Sequence, residues 1–503
     1  MALHRFHGGL HLDPRKEPAS AALFEPAFIP SHLVLPLHQH IGASAEPVVA
    51  TGQHVLKGEM VARAADYLCV PVHAPTSGVV RAIEDRPVPH ASGLAAPAIV
   101  IEPDGQDQWL DRAPVYDFKG MDSSELRNRV RAAGVVGLGG AAFPSFIKLN
   151  PGPKRRVDIL VLNGAECEPY ISCDDVLMRH RPAEIVAGAR VIMHALGAQR
   201  CCIGIEDNKP GAIEAMRAAI DDHPPMEVAP VPTLYPAGGE KQIIYTLTGR
   251  EVPSNGLPAD IGVVCHNVAT AAAVHRAIDR GEPLISRIVT VTGGGIARPA
   301  NLELLIGTPI REVIDHCGGY RAGVKRLLMG GPMMGFEIHD DASPVIKATN
   351  CLLAATQADL GPDYAAVPCI RCGRCAEVCP ARLLPQQLYW HARAGSLDAA
   401  QEYGIFDCIE CGCCAYACPS HIPLVQYYRH AKHDIWARER ERRRADLARR
   451  RSEFRTDRLD REERERQARH AARKAQLRDK ETAATDDNTA PTQAGSGDDA
   501  ARG

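Results

Sequence analysis

Short apolar runs broken by glycine and proline fill residues 30–103, and from Met121 the pattern lengthens into alternating helices and strands. In the first region Gly52-Gln-His-Val-Leu-Lys-Gly58 and Pro71-Val-His-Ala-Pro-Thr-Ser-Gly78 read as turn–strand units of a small β domain. Asp122 or Ser123 caps a predicted helix whose apolar positions include Leu126, Val130 and Ala133, ending at Gly134. A glycine-rich loop follows, then a buried-strand run from Val157 to Leu162 that stops at Asn163. A helical stretch at 182–196 and a strand at 201–205 make this an α/β unit. Residues 287–292 open another β segment, with a helix at 310–317 and glycine turns at 293–295 and 318–319. A cysteine-rich module occupies about 360–425, and Trp436–Glu481 beyond it is charged almost throughout. There Glu439/Arg443, Asp457/Arg461, Glu462/Arg466 and Glu465/Arg469 stand four apart in the favourable order, which predicts a solvated helix. The last twenty or so residues are small and polar and are expected to be disordered.

A chain of 503 residues exceeds what one core accommodates and implies roughly three or four domains. No stretch reaches the roughly 18–20 apolar residues of a membrane helix, and the polar start lacks a signal-peptide core. A cytoplasmic protein is therefore expected. In a reducing compartment its 17 cysteines read as metal ligands or small buried hydrophobes, and eight of them fall into two tight runs. Cys201 and Cys202, in a strand, are of the second kind. The net charge of −3 is uneven, because residues 436–481 carry 18 Lys/Arg against 11 Asp/Glu. That basic segment is either a plain solvated helix or a contact for anionic lipid head groups or an acidic partner. Nucleic acid is set aside, since only Trp436 and Phe454 offer rings to stack on bases.

The two runs are Cys369-Ile-Arg-Cys372-Gly-Arg-Cys375-Ala-Glu-Val-Cys379-Pro380 and Cys408-Ile-Glu-Cys411-Gly-Cys413-Cys414-Ala-Tyr-Ala-Cys418-Pro419. Both have the C-x2-C-x2-C-x3-C-P spacing of bacterial ferredoxins, in which the fourth cysteine serves the other cluster. Cys369, Cys372, Cys375 and Cys418 are thus assigned to one [4Fe–4S] cluster, and Cys379, Cys408, Cys411 and Cys414 to a second. A pair of zinc knuckles is the competing reading. Cys413 is expected to pack rather than to ligate.

The loop Gly134-Val-Val-Gly137-Leu-Gly139-Gly140-Ala-Ala-Phe143-Pro-Ser-Phe-Ile-Lys148 could cradle a phosphate on bare backbone N–H groups with a lysine nearby, or be a plain tight turn. The next strand ends in Asn163-Gly-Ala-Glu166-Cys-Glu168-Pro169, where α/β sheets gather ligands; a solvated acidic turn is the alternative.

These motifs, with Gly238-Gly-Glu-Lys241 and His266-Asn-Val-Ala-Thr270, occur in the order found in the flavin subunit of respiratory complex I. Together with Phe6-His-Gly-Gly-Leu-His11, Pro36-Leu-His-Gln-His-Ile-Gly42 and the ferredoxin runs, the chain closely resembles the RnfC family of the Rnf ion-translocating oxidoreductase complex, from residue 6 to about 430. The resemblance implies an α/β multidomain chain. It would have an N-terminal segment (1–29), a barrel-sandwich hybrid β domain (30–110) and a Rossmann-type FMN/NADH-binding α/β domain (120–282). A soluble-ligand-binding β-grasp (SLBB) domain (285–345), a helical two-[4Fe–4S] ferredoxin domain (358–428), a charged helix (436–482) and a disordered tail (483–503) would follow. It further implies FMN held by Gly137, Gly139, Gly140, Lys148, Asn163, Glu166 and Asn267, with Gly239 and His266 in the same motifs. NADH would stack near Phe143 with Glu168 and Glu240 close by. Two positions depart from complex I: Ala165 replaces an aspartate and Lys241 a glutamate.

NADH gives two electrons as hydride and a cluster takes one, so a flavin is the natural switch between them. The expected activity is electron transfer from NADH through FMN to the clusters, or the reverse. It would be coupled through the other Rnf subunits, and indirectly ferredoxin, to sodium or proton movement at the cytoplasmic face of the inner membrane. No residue is assigned acid–base catalysis. Two readings compete: a ferredoxin-like adaptor that carries clusters but binds no flavin or nucleotide, and a quinone-reductase relative of the same fold, against which the cluster motifs argue.

Overall fold

The structure, a computed structural model, describes residues 3–20, 24–153, 155–220 and 225–486, with side chains to Thr482. The chain divides into two units, Met1–Ala431 and Lys432–Gly503.

In the first unit, apolar residues at alternate positions build two small antiparallel sheets. One orders the strands Leu33–Pro36, Ala95–Pro103, Gly78–Pro87 and His54–Val55; the other orders Glu46–Pro47, Met60–Arg63 and Val72–His73. Leu33, Leu35, Val55, Val61, Val80, Ile99 and Ile101 are fully enclosed between them.

The α/β unit carries four parallel strands in the order Met226–Val231, Arg200–Glu206, Ile159–Gly164 and Val263–Asn267. Successive side chains of a strand face opposite ways, and both faces are covered. Leu160 and Leu162 join the core shared with helices Pro182–Leu196 and Val268–Asp279, while Ile159 and Val161 pack with Ile243, Ile244 and Leu247 of helix Glu240–Thr248. Gly188 lets two of these helices touch, since a Cβ there would fall 1.7 Å from the carbonyl oxygen of Ala271. Asp122 caps helix Ser123–Ala132 by accepting from Ser124 and Glu125 N–H, at 2.7 and 2.9 Å. Cys201 and Cys202 are buried, as their strand position suggested.

A five-stranded sheet orders Ala300–Leu305, Ser286–Thr292, Cys351–Thr356, Val324–Met329 and Phe336–Glu337, with helix Ile310–His316 closing its core. Its central strand, Cys351–Thr356, lies beyond the limit of 345 expected from sequence. Lys347, fully buried, ties three regions together: its ammonium donates to the carbonyls of Pro71 (2.9 Å) and Gly134 (2.7 Å).

The cysteine module repeats one backbone path twice. Arg371 and Glu410, Gly373 and Gly412, and Arg382 and His421 each hold matching positive φ angles around short helices Arg374–Glu377 and Cys413–Tyr416.

A single helix runs from Leu424 to Asp486, so the charged segment continues a helix that starts before Trp436. From Arg438 to Thr482 its side chains are exposed. Arg443–Glu439 (3.5 Å) and Arg469–Glu465 (3.3 Å) pair as spaced, whereas Arg466 meets Glu463. No helix among the described residues is long and apolar enough to cross a membrane. The tail expected to be disordered lies outside the described residues, apart from the helix backbone to Asp486.

Candidate functional site

The predicted flavin residues collect at the carboxyl ends of two neighbouring strands. Asn163 and Asn267 are register partners there. Asn163 Nδ2 donates to the Gly238 carbonyl at 2.8 Å, which joins the strand end to the Gly238–Gly239 turn. Asn267 caps helix Val268–Asp279 by accepting from Ala269 N–H at 2.9 Å, and its Nδ2 donates to Asp174 Oδ2 at 2.6 Å. The glycine loop folds over this edge. Gly137 N–H donates to the Phe143 carbonyl at 2.8 Å, and Leu138 N–H to Thr270 Oγ1 at 2.9 Å. Gly139 lies against Asn267, where a Cβ would come within 3.3 Å of its Cβ; Gly140, at φ +116, faces open space. Lys148, from the short helix after the loop, bonds Glu240 Oε1 at 2.5 Å and the Cys265 carbonyl at 3.1 Å. Beside it His266 is enclosed and neutral: burial and then the Lys148 charge lower its pKa to about 3.

His266 Nε2 and Gln242 Oε1 are buried and have no hydrogen-bond partner among the described residues. Orphaned polar atoms of this kind call for an explanation such as a bound group. With bare glycine backbone, a lysine and two amides at one edge, the residues fit a planar ligand carrying a phosphate.

The two acids of the Asn163–Pro169 turn part company. Glu166 is turned inward rather than toward the glycine loop: Oε1 accepts from Asp174 N–H at 2.9 Å, and Oε2 lies 3.4 Å from Lys209 Nζ. Burial opposes its charge, yet Lys209 and Lys16 hold its pKa below the usual range. Glu166 thus anchors the start of helix Cys173–His180, which the sequence does not reveal because Lys16 and Lys209 are distant along the chain. Glu168 reaches the other way and accepts from the N–H groups of Met333 (2.7 Å) and Met334 (3.0 Å). Burial raises its pKa.

Cys369, Cys372, Cys375 and Cys418 line one cavity; Cys379, Cys408, Cys411 and Cys414 line another, with Cys413 also on its wall. Main-chain N–H groups point at several sulfurs: Arg371 to Cys369, Leu383 to Cys379 and Glu410 to Cys408, each at 3.4 Å. Such N–H···S contacts suit thiolates carrying negative charge, as cluster ligands do.

One residue absent from the sequence reading joins the two sites. Tyr235, buried at the loop before Gly238–Gly239, donates its hydroxyl to the Cys411 carbonyl at 2.5 Å. It packs with Cys411 and Cys413, and Cys167, Met333 and Val378 gather around them. Nothing in its sequence context distinguishes Tyr235 from a core tyrosine.

Four family models match the chain. They are the RnfC barrel sandwich hybrid domain (residues 4–106), the Nuo51 FMN-binding domain (130–276), the SLBB domain (288–337) and a 4Fe-4S dicluster domain (368–422). The RnfC component of the ion-translocating oxidoreductase complex of Pseudomonas aeruginosa is 51% identical over 391 residues, covering 78% of this chain and 50% of that protein. Its namesake in Rhodobacter capsulatus is 48% identical over 78% of this chain and 76% of that protein; in Vibrio cholerae the values are 47%, 79% and 51%. The chain spans about half the length of the first of these relatives. A chain of an NAD+-reducing [NiFe]-hydrogenase matches at a TM-score of 0.42 and 19% identity over 65% of this chain and 64% of that one, too remote to bear on function. The chain is an α/β multidomain protein with a flavin domain for FMN and a dicluster domain for two [4Fe–4S] clusters. On the shared identity and coverage, it belongs to the RnfC family of the ion-translocating oxidoreductase complex.

Proposed function

We propose that this chain passes electrons between NADH and two [4Fe–4S] clusters by way of FMN, in either direction. It does so as a peripheral subunit at the cytoplasmic face of the inner membrane, where its partners in the complex link the flow to ion movement and, indirectly, to ferredoxin. Bound FMN supplies the exchange between two-electron and one-electron chemistry.

The chain's own residues do the holding. Gly137, Gly139 and Gly140 leave backbone N–H groups within reach of a phosphate, and Lys148 adds positive charge. Asn163 and Asn267 offer amides at the strand ends, while Glu166 fixes the helix that carries Asp174. Phe143, Gly239, Glu240 and Glu168 are the proposed nicotinamide side of the site, with neutral His266 beneath. Cys369, Cys372, Cys375 and Cys418 hold one cluster; Cys379, Cys408, Cys411 and Cys414 hold the other.

The observation that carries this reading is the contact between the two sites. Tyr235 leads directly into the Gly238–Gly239 turn and hydrogen-bonds Cys411, which lines the second cysteine cavity. Quantifying iron and flavin in anaerobically purified protein, then titrating with NADH, tests it. About eight irons, one FMN and flavin bleaching are expected, from two four-iron clusters and one flavin. Eight irons with no flavin, even after FMN is added back, would leave only a ferredoxin-like adaptor.

A further inference from the structure

The motif Phe6-His-Gly-Gly-Leu-His11 belongs to neither site described above, yet it lies across both. Phe6 is buried with Leu234 and Ala237 of the flavin domain, which fixes one end of the segment by apolar packing. His4 N–H donates to the Thr246 carbonyl at 2.9 Å, at the end of helix Glu240–Thr248. Leu10 and Tyr235 exchange both main-chain hydrogen bonds, at 2.8 and 2.9 Å. Between these anchors the segment grips the first cysteine run. Gly9 N–H donates to the Val378 carbonyl, and His7 Nδ1 to the Cys379 carbonyl, both at 3.0 Å.

The two glycines are what make that grip close. A Cβ on Gly8 would lie 2.6 Å from the Val378 carbonyl carbon, and one on Gly9 would lie 2.8 Å from the Tyr235 oxygen. Both residues also adopt positive φ, +69 and +91. Tyr235 thus carries the segment on its backbone and the other cysteine loop on its hydroxyl. Cys379 and Cys411, held from these two directions, line the same cavity.

We propose that residues 4–10 are a clasp that sets the separation between the flavin site and the cluster held by Cys379, Cys408, Cys411 and Cys414. This rests on the electron path proposed above and names the element that positions its flavin-to-cluster step. That step needs no acid or base; its rate depends on how near and how firmly the two groups are held. The glycines and His7 are positioning residues, acting through the Val378–Cys379 backbone.

The test uses the full chain with FMN and both clusters, comparing Gly8→Ala and His7→Ala with the unaltered protein. Flavin is reduced anaerobically by a light pulse, so that nicotinamide binding plays no part, and cluster reduction is followed by freeze-quench EPR. Gly8→Ala is expected to keep its flavin and iron and to slow arrival at the cluster by about tenfold, since small misplacements cost rate steeply. His7→Ala slows it by a smaller factor. Wild-type rates in both variants overturn the clasp, as does loss of iron in Gly8→Ala together with a wild-type rate in His7→Ala. No transfer in the unaltered protein would instead contradict the electron path itself, a separate outcome.

Discussion

The hydroxyl of Tyr235 donates a hydrogen bond to the main-chain carbonyl of Cys411, so a loop of the flavin domain and a loop of the cluster module meet through one side chain. Burial, and then the neighbouring Glu168, push the phenol pKa up, which keeps the donor proton in place. Tyr235→Phe leaves that carbonyl unsatisfied in a buried setting and should cost about 1–2 kcal/mol. Denaturant unfolding of the two proteins, with iron content unchanged, measures it.

The crossed pairing of the cysteines predicts which irons go with which residue. Cys418→Ser should remove the cluster at Cys369, Cys372 and Cys375, though Cys418 belongs to the other run. Cys379→Ser should spare that cluster and remove its neighbour. Each variant keeps about half the iron, with the complementary EPR signal, because the fourth cysteine serves the opposite cluster. Cys413→Ala, which removes a thiol outside the ligand spacing, should keep both clusters.

Gly139→Ala separates the flavin site from the clusters. The added Cβ would stand 3.3 Å from Asn267 Cβ, tight enough to push on the amide that caps its helix. FMN affinity should fall by about tenfold, the effect of roughly 1–3 kcal/mol of overpacking, with iron unchanged. Fluorescence titration of deflavinated protein with FMN reads the change.

Asp174 gives the fold a pH dependence of known sign. Burial, then the Glu166 carboxylate, raise its pKa from 3.8 to about 7. The folded chain therefore keeps a proton that the unfolded chain releases near 4. This contribution to stability is complete below pH 4 and is lost as pH rises through about 7. Asp174→Asn, which can still accept from Asn267, should gain on the wild type across that window by on the order of 2 kcal/mol. Unfolding free energies of both proteins at pH 4, 5.5 and 7 check the trend.

Local patterns carried much of this organisation in the sequence. The strand ending at Asn163, the helix at 182–196 and the cap at Asp122 follow from periodicity and capping, which act over a few residues. The cysteine runs were legible because ligand spacing is itself local. Contacts between distant segments were not legible. Glu166 sits beside a glycine loop in sequence, yet its carboxylate is spent on Lys209 and the start of helix Cys173–His180. Glu168 looks like its twin but is held by Met333 and Met334. Lys347 reads as a surface lysine, and only the folded chain shows it bonded to Pro71 and Gly134.

Continuity between flavin and clusters is the claim on which the account stands, and redox mixing of the holoprotein tests it most directly. Oxidised protein is mixed with NADH, and dithionite-reduced protein with NAD+, while flavin absorbance and cluster EPR are followed together. The account predicts that in at least one direction the clusters change redox state after the flavin and at a rate the flavin sets. Flavin that responds to the nicotinamide while both clusters stay unchanged in either direction would contradict it.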